Sequence, residues 1–299
     1  MRVLLIGATG YIGGAVLEHL TDAGHEMEAL LRGPRPVPAG VDVRHGDLAR
    51  PETMSAGLVD GVDAVVHAGA PVGDWDAELA SVRPLLAGLR SFRGSFVYLS
   101  GTWVLGPSGP GGAVLDEFSP PRPIRLVAGR QRMEELVLRT CACRGAVIRP
   151  GLVHGRGGGI PQLLVQWARE AGVGRHVSAG EPVTWPMVHV DDLAALVGRV
   201  LLSARGGHLL HAVAEPAVPV IDIAAAADVA AGGPGRAEPW PLADASAVLG
   251  GPFAEALATS QRVRGLEAPA FGWRPSRPGV IEDLREASYV TAAAAPTGR

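Results

Sequence analysis

Residues 3–20 read VLLIGATGYIGGAVLEHL, and their order decides the fold. Val3 to Ile6 is an unbroken apolar run of strand length, and Ala15 to Leu20 continues with helical spacing. Between them Gly7, Gly10 and Gly13 stand at GxxGxxG spacing. Glycine there lets the backbone turn tightly and approach a pyrophosphate, whose charge then faces the free N–H groups of the helix N-terminus. A glycine triplet alone is a weak signal, but the strand before it and the helix after it supply the context the motif needs. The stretch predicts half of a βαβ unit that binds a nucleotide.

Further short apolar or β-rich runs follow at Met27–Leu31, Val41–His45, Ala64–His67, Phe96–Ser100 and Ala146–Arg149, with helical spacing between most of them. Strands alternating with helices predict a parallel sheet covered on both faces, an α/β doubly wound sheet of the Rossmann type. After Pro150 the rhythm changes to a glycine-rich turn, HGRGGG, a helix around Pro161–Glu170, and then WPMVHVDDLAALVGRVLL. In that segment Met187–Val190 reads as a strand, Asp191 as the N-cap of a helix ending near Leu202, and His208–Val213 as one more strand. The expected division is a dinucleotide-binding domain over 1–150 plus about 187–213, and a smaller, discontinuous substrate lobe over 151–186 and 214–290. The last residues, 291–299, read as a disordered tail.

The chain has 299 residues, a net charge of -3 and a pI near 6.3. That is enough length for a full core, and it supplies no basic stripe of the kind nucleic acid requires. No apolar run approaches the length of a membrane span, and no targeting peptide is evident, so the reading is a cytoplasmic protein, monomer or homodimer, that meets a small molecule. Cys141 and Cys143 are one residue apart, poor geometry for a disulfide and too few ligands for a structural metal; no metal is expected. All 27 basic residues are arginine. No lysine is therefore present to form a Schiff base or to depress the pKa of a tyrosine.

The second strand of an NAD-binding unit ends in a carboxylate that accepts the ribose 2′-hydroxyl. Here it ends in LLRGPR, and Arg32 and Arg35 suit the 2′-phosphate of NADP instead, leaving NAD the lesser choice. Asp47, in GDL, is either a partner for the adenine amine or a turn aspartate.

These pieces, GATGYIGG at 7–14, GDL at 46–48, HAGA at 67–70, YLSGTWVLG at 98–106, IRPGLVHGRGGG at 148–159, WPMVHVDDLA at 185–194 and GWRPS at 272–276, span nearly the whole chain. In that order the chain resembles the extended or atypical short-chain dehydrogenases of the NAD-dependent epimerase/dehydratase family. The resemblance implies a Rossmann domain whose small lobe closes over the nicotinamide. Carried onto this chain, it makes the cofactor set Gly7, Thr9, Gly10, Tyr11, Ile12 and Gly13 of the turn; Arg32, Arg35, Asp47 and Leu48; His67, Ala68 and Gly69; and Arg130 and Pro150.

The same resemblance implies a tyrosine, with a lysine four residues on, as proton donor. Leu126 and Arg130 occupy those positions, in RLVAGRQRMEEL at 125–136. The chain's tyrosines, Tyr11, Tyr98 and Tyr289, all lie elsewhere. At the family's Ser/Thr position stands Gly101, flanked by Ser100 and Thr102. The SGTWVLG form resembles a subgroup in which an arginine, followed four residues later by glutamate, replaces the pair.

Four side chains are candidates for the chemistry: the hydroxyls of Ser100 and Thr102, Arg130 to hold a ribose hydroxyl or polarise a substrate oxygen, and His154, whose imidazole titrates in a useful range. If His154 moves the proton, His154→Ala lowers turnover by roughly a hundredfold and leaves cofactor affinity intact. The bland alternative for His154 is a loop histidine bonded to backbone. His67 reads as packing beside the cofactor and His189 as structural. Trp75, Trp103 and Trp185 are either walls of an apolar pocket or core.

The expectation is an NADP-dependent oxidoreductase or epimerase-like enzyme for a small apolar carbonyl or hydroxyl compound, in secondary metabolism. The alternatives are a non-redox cyclase, dehydratase or isomerase, and a silent nucleotide sensor. If a guanidinium meets the 2′-phosphate, calorimetry will show NADPH bound at least about tenfold more tightly than NADH, from a contact of about 1.5–3 kcal/mol. Arg32→Ala removes the preference; equal affinities in the parent protein would refute it.

Overall fold

The computed structural model describes residues 1–70, 73–90, 94–109, 112–140, 144–202, 206–286 and 288–289. β1 (Arg2–Ile6) runs into the glycine turn, and α1 (Tyr11–Asp22) leaves it. β2 (Glu26–Leu31), β3 (Asp42–His45), β4 (Ala64–His67), α2 (Trp75–Arg90), β5 (Ser95–Leu99), α3 (Arg130–Arg139) and β6 (Arg144–Pro150) complete the first part. There follow β7 (Leu152–His154), α4 (Gly159–Ala171), β8 (Gly174–Ser178), β9 (Thr184–His189), α5 (Val190–Leu201) and β10 (His208–Ala212). The chain closes with β11 (Glu215–Pro219), α6 (Val220–Ala230), β12 (Ala237–Pro241), α7 (Leu242–Leu249), α8 (Gly251–Leu257) and α9 (Val280–Glu286).

The main sheet has the order β10-β6-β5-β4-β1-β2-β3, and every pairing in it is parallel. Strand alternation splits its side chains between two cores. Val3, Leu5, Val66 and Leu99 face α1 and α5, while Leu4, Ile6, Val65 and Phe96 face α2 and α3. This two-sided burial is why the strands read as continuous apolar runs.

The small lobe has a third core around Leu164, Val177, Trp185 and Ile223. Its sheets are β11-β9-β7 and the parallel pair β12-β8. The expected strand at 187–190 thus belongs to the small lobe, because β9 pairs with β7 and β11; only α5 and β10 return to the large sheet. The cap of α5 also differs from expectation. His189 is the N-cap, its Nδ1 accepting from Asp191 N at 3.1 Å, and the Asp191 carboxylate instead receives Arg156 Nε at 2.6 Å. The second aspartate does the capping elsewhere: the Asp192 carboxylate accepts from Ser276 N and Arg277 N, and its carbonyl from Trp273 Nε1 at 2.7 Å. The distant motifs HVDDLA and GWRPS are therefore two halves of one contact.

Cys141, Cys143 and the tail at 291–299 lie outside the described residues. Among the described residues, no helix is long and apolar enough to cross a membrane.

α3 is tied to β6 by a buried bidentate pair, with Arg149 Nε and NH2 donating to Glu134 at 2.9 and 2.6 Å. Both side chains are under 5 % exposed. Removing one partner strands the other's charge in the core. Glu134→Ala should lower the unfolding free energy by about 3–5 kcal/mol, read as a fall in the urea midpoint at constant slope. A loss below about 1 kcal/mol would put the pair in a far wetter site than the structure gives it.

Candidate active-site cleft

The strand order reverses between β4 and β1, and in open α/β sheets ligands bind at such a switch point, beyond the carboxyl ends of the strands. A cavity of about 330 Å³ lies there, lined by Gly7, Thr9, Gly10, Arg32, Arg35, Asp47, Leu48, Ala68 and Gly69. Gly7 has φ 86°, and a Cβ on it would sit 2.7 Å from Gly69 N. A Cβ on Gly13 would lie 2.0 Å from the Gly7 carbonyl oxygen. The turn is thus a bare-backbone cradle, and the N-cap of α1, Gly10, brings no side chain to occupy the helix's N–H groups. Those groups fit a dinucleotide's pyrophosphate.

Arg32 and Arg35 both line this cavity, and neither has an ion pair among the described residues. Asp47 lines it too, yet its Oδ1 accepts from Ala49 N at 3.0 Å, so it acts as a turn aspartate at the cavity edge. His67 does not line it. Its ring is fully buried, edge-on to Tyr98, with Nδ1 accepting from Gly69 N at 3.3 Å and Nε2 3.4 Å from Glu78. The expected cofactor contact at 67 is corrected to a support beneath the Ala68–Gly69 loop, since the strand's alternation turns this side chain into the α2 layer.

A second cavity of about 720 Å³ is lined by residues of both parts of the chain. Tyr11, Ile12, Ser100, Gly101, Thr102, Arg130 and Pro150 line it, with Trp75, Trp103, Arg125, Leu126 and Ile160 opposite. Tyr11 lies on the backbone of Gly158, where a Cβ would come within 2.3 Å of the ring, and its hydroxyl donates to Gly155 O at 2.8 Å. Burial, with Tyr289, Asp283 and Asp191 nearby, pushes the Tyr11 phenol far above its ordinary range, so it stays protonated. Arg130 NH1 donates to the carbonyls of Ser100 and Leu99 at the end of β5, which holds the guanidinium across the cleft floor. Ser100 Oγ is buried without a partner among the described residues, as are Arg130 Nε and Trp103 Nε1. Leu126 takes the wall position four residues before Arg130 and offers only methyl groups.

One residue weighed as pocket wall or core proves core, and one expected site residue is elsewhere. Trp185 is core of the small lobe, 2 % exposed. His154, the expected proton carrier, is 1 % exposed and does not line the cleft; Val153 does, because period two along β7 turns its neighbour inward. His154 Nδ1 bonds Asp283 Oδ2 at 3.1 Å, and its ring meets His189 edge-on. Burial first, then His154, holds the His189 imidazole below its ordinary value.

Other contributors escaped the sequence reading. Gly129 gives Trp75 its place, since a Cβ there would overlap the indole at 2.0 Å. Gln261, fully buried, donates Nε2 to Thr102 O at 2.8 Å and Gly106 O at 2.7 Å, and so pins the SGTWVLG loop from the far side. An isolated glutamine in a coil carries no sequence signal for that role.

The model of the NAD dependent epimerase/dehydratase family matches residues 3–212, and the chain belongs to that family. It is similar to the protein YLL056C of Saccharomyces cerevisiae, 27% identical over 304 residues, covering 95% of this chain and 98% of that one. It is also 28% identical over 316 residues to the 3-diazoavenalumate denitrifying reductase of a Streptomyces species, covering 95% and 99% of the two chains. Among solved structures, human epimerase family protein SDR39U1 with NADPH superposes with a TM-score of 0.72 at 24% identity, covering 96% of this chain and 99% of that one.

The buried His154–Asp283 contact is structural. Burial alone raises the Asp283 carboxyl, but hydrogen bonds from His154 and Ser288 bring it below its ordinary value of 3.8. A folded-state pKa below the unfolded one means this stabilisation is present above pH 3.8 and fades as the pH falls through the depressed value. His154→Ala should cost about 1–3 kcal/mol of stability at neutral pH and leave NADPH affinity within about twofold. Calorimetry and thermal melts check both; a stable variant whose turnover falls about a hundredfold would return His154 to the site.

Proposed function

We propose that the protein is an NADP-dependent oxidoreductase that reduces a small, largely apolar carbonyl compound or oxidises the matching hydroxyl compound, in secondary metabolism and in the cytoplasm. The carrying observation is that consecutive residues of one turn line both cavities: Gly7, Thr9 and Gly10 the first, Tyr11 and Ile12 the second. A glycine cradle with two guanidiniums free of ion pairs among the described residues is thus followed in the chain by a cleft lined by two indoles and a tethered arginine. The Streptomyces relative, named as a reductase, supports the reductive direction.

The residues present fit the dinucleotide. Arg32 and Arg35 would hold the 2′-phosphate, the N–H groups at the start of α1 the pyrophosphate, and Arg130 the ribose on the nicotinamide side. When bound, NADPH supplies hydride. Thr102 and Ser100 would orient the substrate oxygen, while Trp75, Trp103 and Leu126 exclude water from it. A monomer contains every residue of this arrangement.

Purified protein with NADPH and a panel of aldehydes, ketones and quinones should consume NADPH with at least one acceptor, followed by loss of the reduced nicotinamide absorbance. Arg130→Ala should weaken NADPH binding by about tenfold or more. No consumption with any acceptor would overturn the redox reading in favour of non-redox chemistry or a silent nucleotide sensor.

A further inference from the structure

The wall of the larger cavity has a one-sided chemistry. Among the described residues its ionisable or hydroxyl-bearing side chains are Tyr11, Ser100, Thr102, Arg125 and Arg130, and no carboxylate or imidazole lines it. The chain has no lysine, and His154 points away. The Tyr11 hydroxyl is already donated to Gly155 O, and a guanidinium does not release a proton. The cleft therefore offers hydrogen bonds and positive charge but no acid matched to neutral pH.

That inventory selects among hydride acceptors. A simple ketone becomes an alkoxide, a base too strong to form without a proton donor beside it. A quinone, taking hydride at the far end of its conjugated ring, becomes an enolate or phenolate, spread over several atoms and no more basic than a phenol, pKa about 10. Preorganised donors and fixed cations stabilise such an oxyanion without any proton transfer. The walls agree, because Trp75 and Trp103 present flat aromatic surface and Leu126 an apolar one where the family's phenol would stand.

We propose, resting on the oxidoreductase reading, that the substrate is a planar quinone whose hydride adduct is a stabilised oxyanion held by Arg130, Ser100 and Thr102. The acceptor gains a C–H bond at its conjugated terminus as the C–H bond of the reduced nicotinamide breaks. The displaced π pair moves onto the carbonyl oxygen. The substrate is reduced by two electrons, the dinucleotide is oxidised by two, and water protonates the product only after release.

The test pairs turnover with binding. Naphthoquinone and acetonaphthone, matched in size, are offered with NADPH across about pH 6 to pH 9. Separately, naphthoate, a planar delocalised anion, and the neutral naphthylmethanol are titrated by calorimetry into protein loaded with NADP⁺. The expected result is reduction of naphthoquinone well above the uncatalysed rate with kcat constant within about twofold over that range, and none of acetonaphthone. Naphthoate should bind at least about tenfold more tightly than naphthylmethanol, and Arg130→Gln should bring the two near parity. Reduction of acetonaphthone, a kcat that follows a single ionisation, or equal binding of the two naphthalenes would each overturn the substrate class while leaving the oxidoreductase reading intact. Failure of the protein to bind NADPH or NADP⁺ in the same calorimeter would instead remove the reading beneath it.

Discussion

No side chain fits between the first turn and the fourth strand. Gly7 lies against the backbone of Ala68 and Gly69, and Gly13 against the carbonyl of Gly7, at separations only hydrogen can fill. This backbone-on-backbone contact brings α1 down onto β1 and directs its N-terminus at the switch point of the sheet. It also determines where Tyr11 stands, and hence where the small lobe meets the large one. The nucleotide cradle and the start of the cleft beyond it follow from two positions, Gly7 and Gly13, that cannot carry a Cβ.

Where a residue's role is set by local spacing, the sequence was readable. GATGYIGG stated its turn, Arg32 and Arg35 their cavity, and the apolar runs their strands, because a parallel strand buried on both faces leaves a continuous hydrophobic trace. Roles set by which way a strand faces were harder. His154 followed a strand into what looked like cleft, and one step of pleat turned it into the protein. Met187–Val190 read as a strand without revealing its sheet, since pairing partners thirty residues away leave no mark on local pattern. Gln261 and Gly129 act wholly through tertiary contact, and nothing in their neighbours announces it.

Leu126 lines the cleft with methyl groups alone, four residues before Arg130. Arg130 is not free to imitate a lysine, because its guanidinium is spent in part on the carbonyls at the end of β5. Behind it, Glu134 is committed to Arg149 rather than to the cleft. α3 is thereby a strut, with Glu134 turned onto the sheet at Arg149 and Arg130 tethered to the end of β5.

Tyr289, almost the last described residue, is fully buried, receiving Gly155 N at 3.0 Å and donating to Gly158 O at 2.5 Å. Those glycines are the same loop on which Tyr11, near the first residue, rests. Side chains from α1 and from beyond α9 thus meet on one loop between β7 and α4. Without the Tyr289 hydroxyl the Gly155 N–H and the Gly158 carbonyl would lose these bonds, so the loop beneath Tyr11 depends on a residue far from it in the sequence.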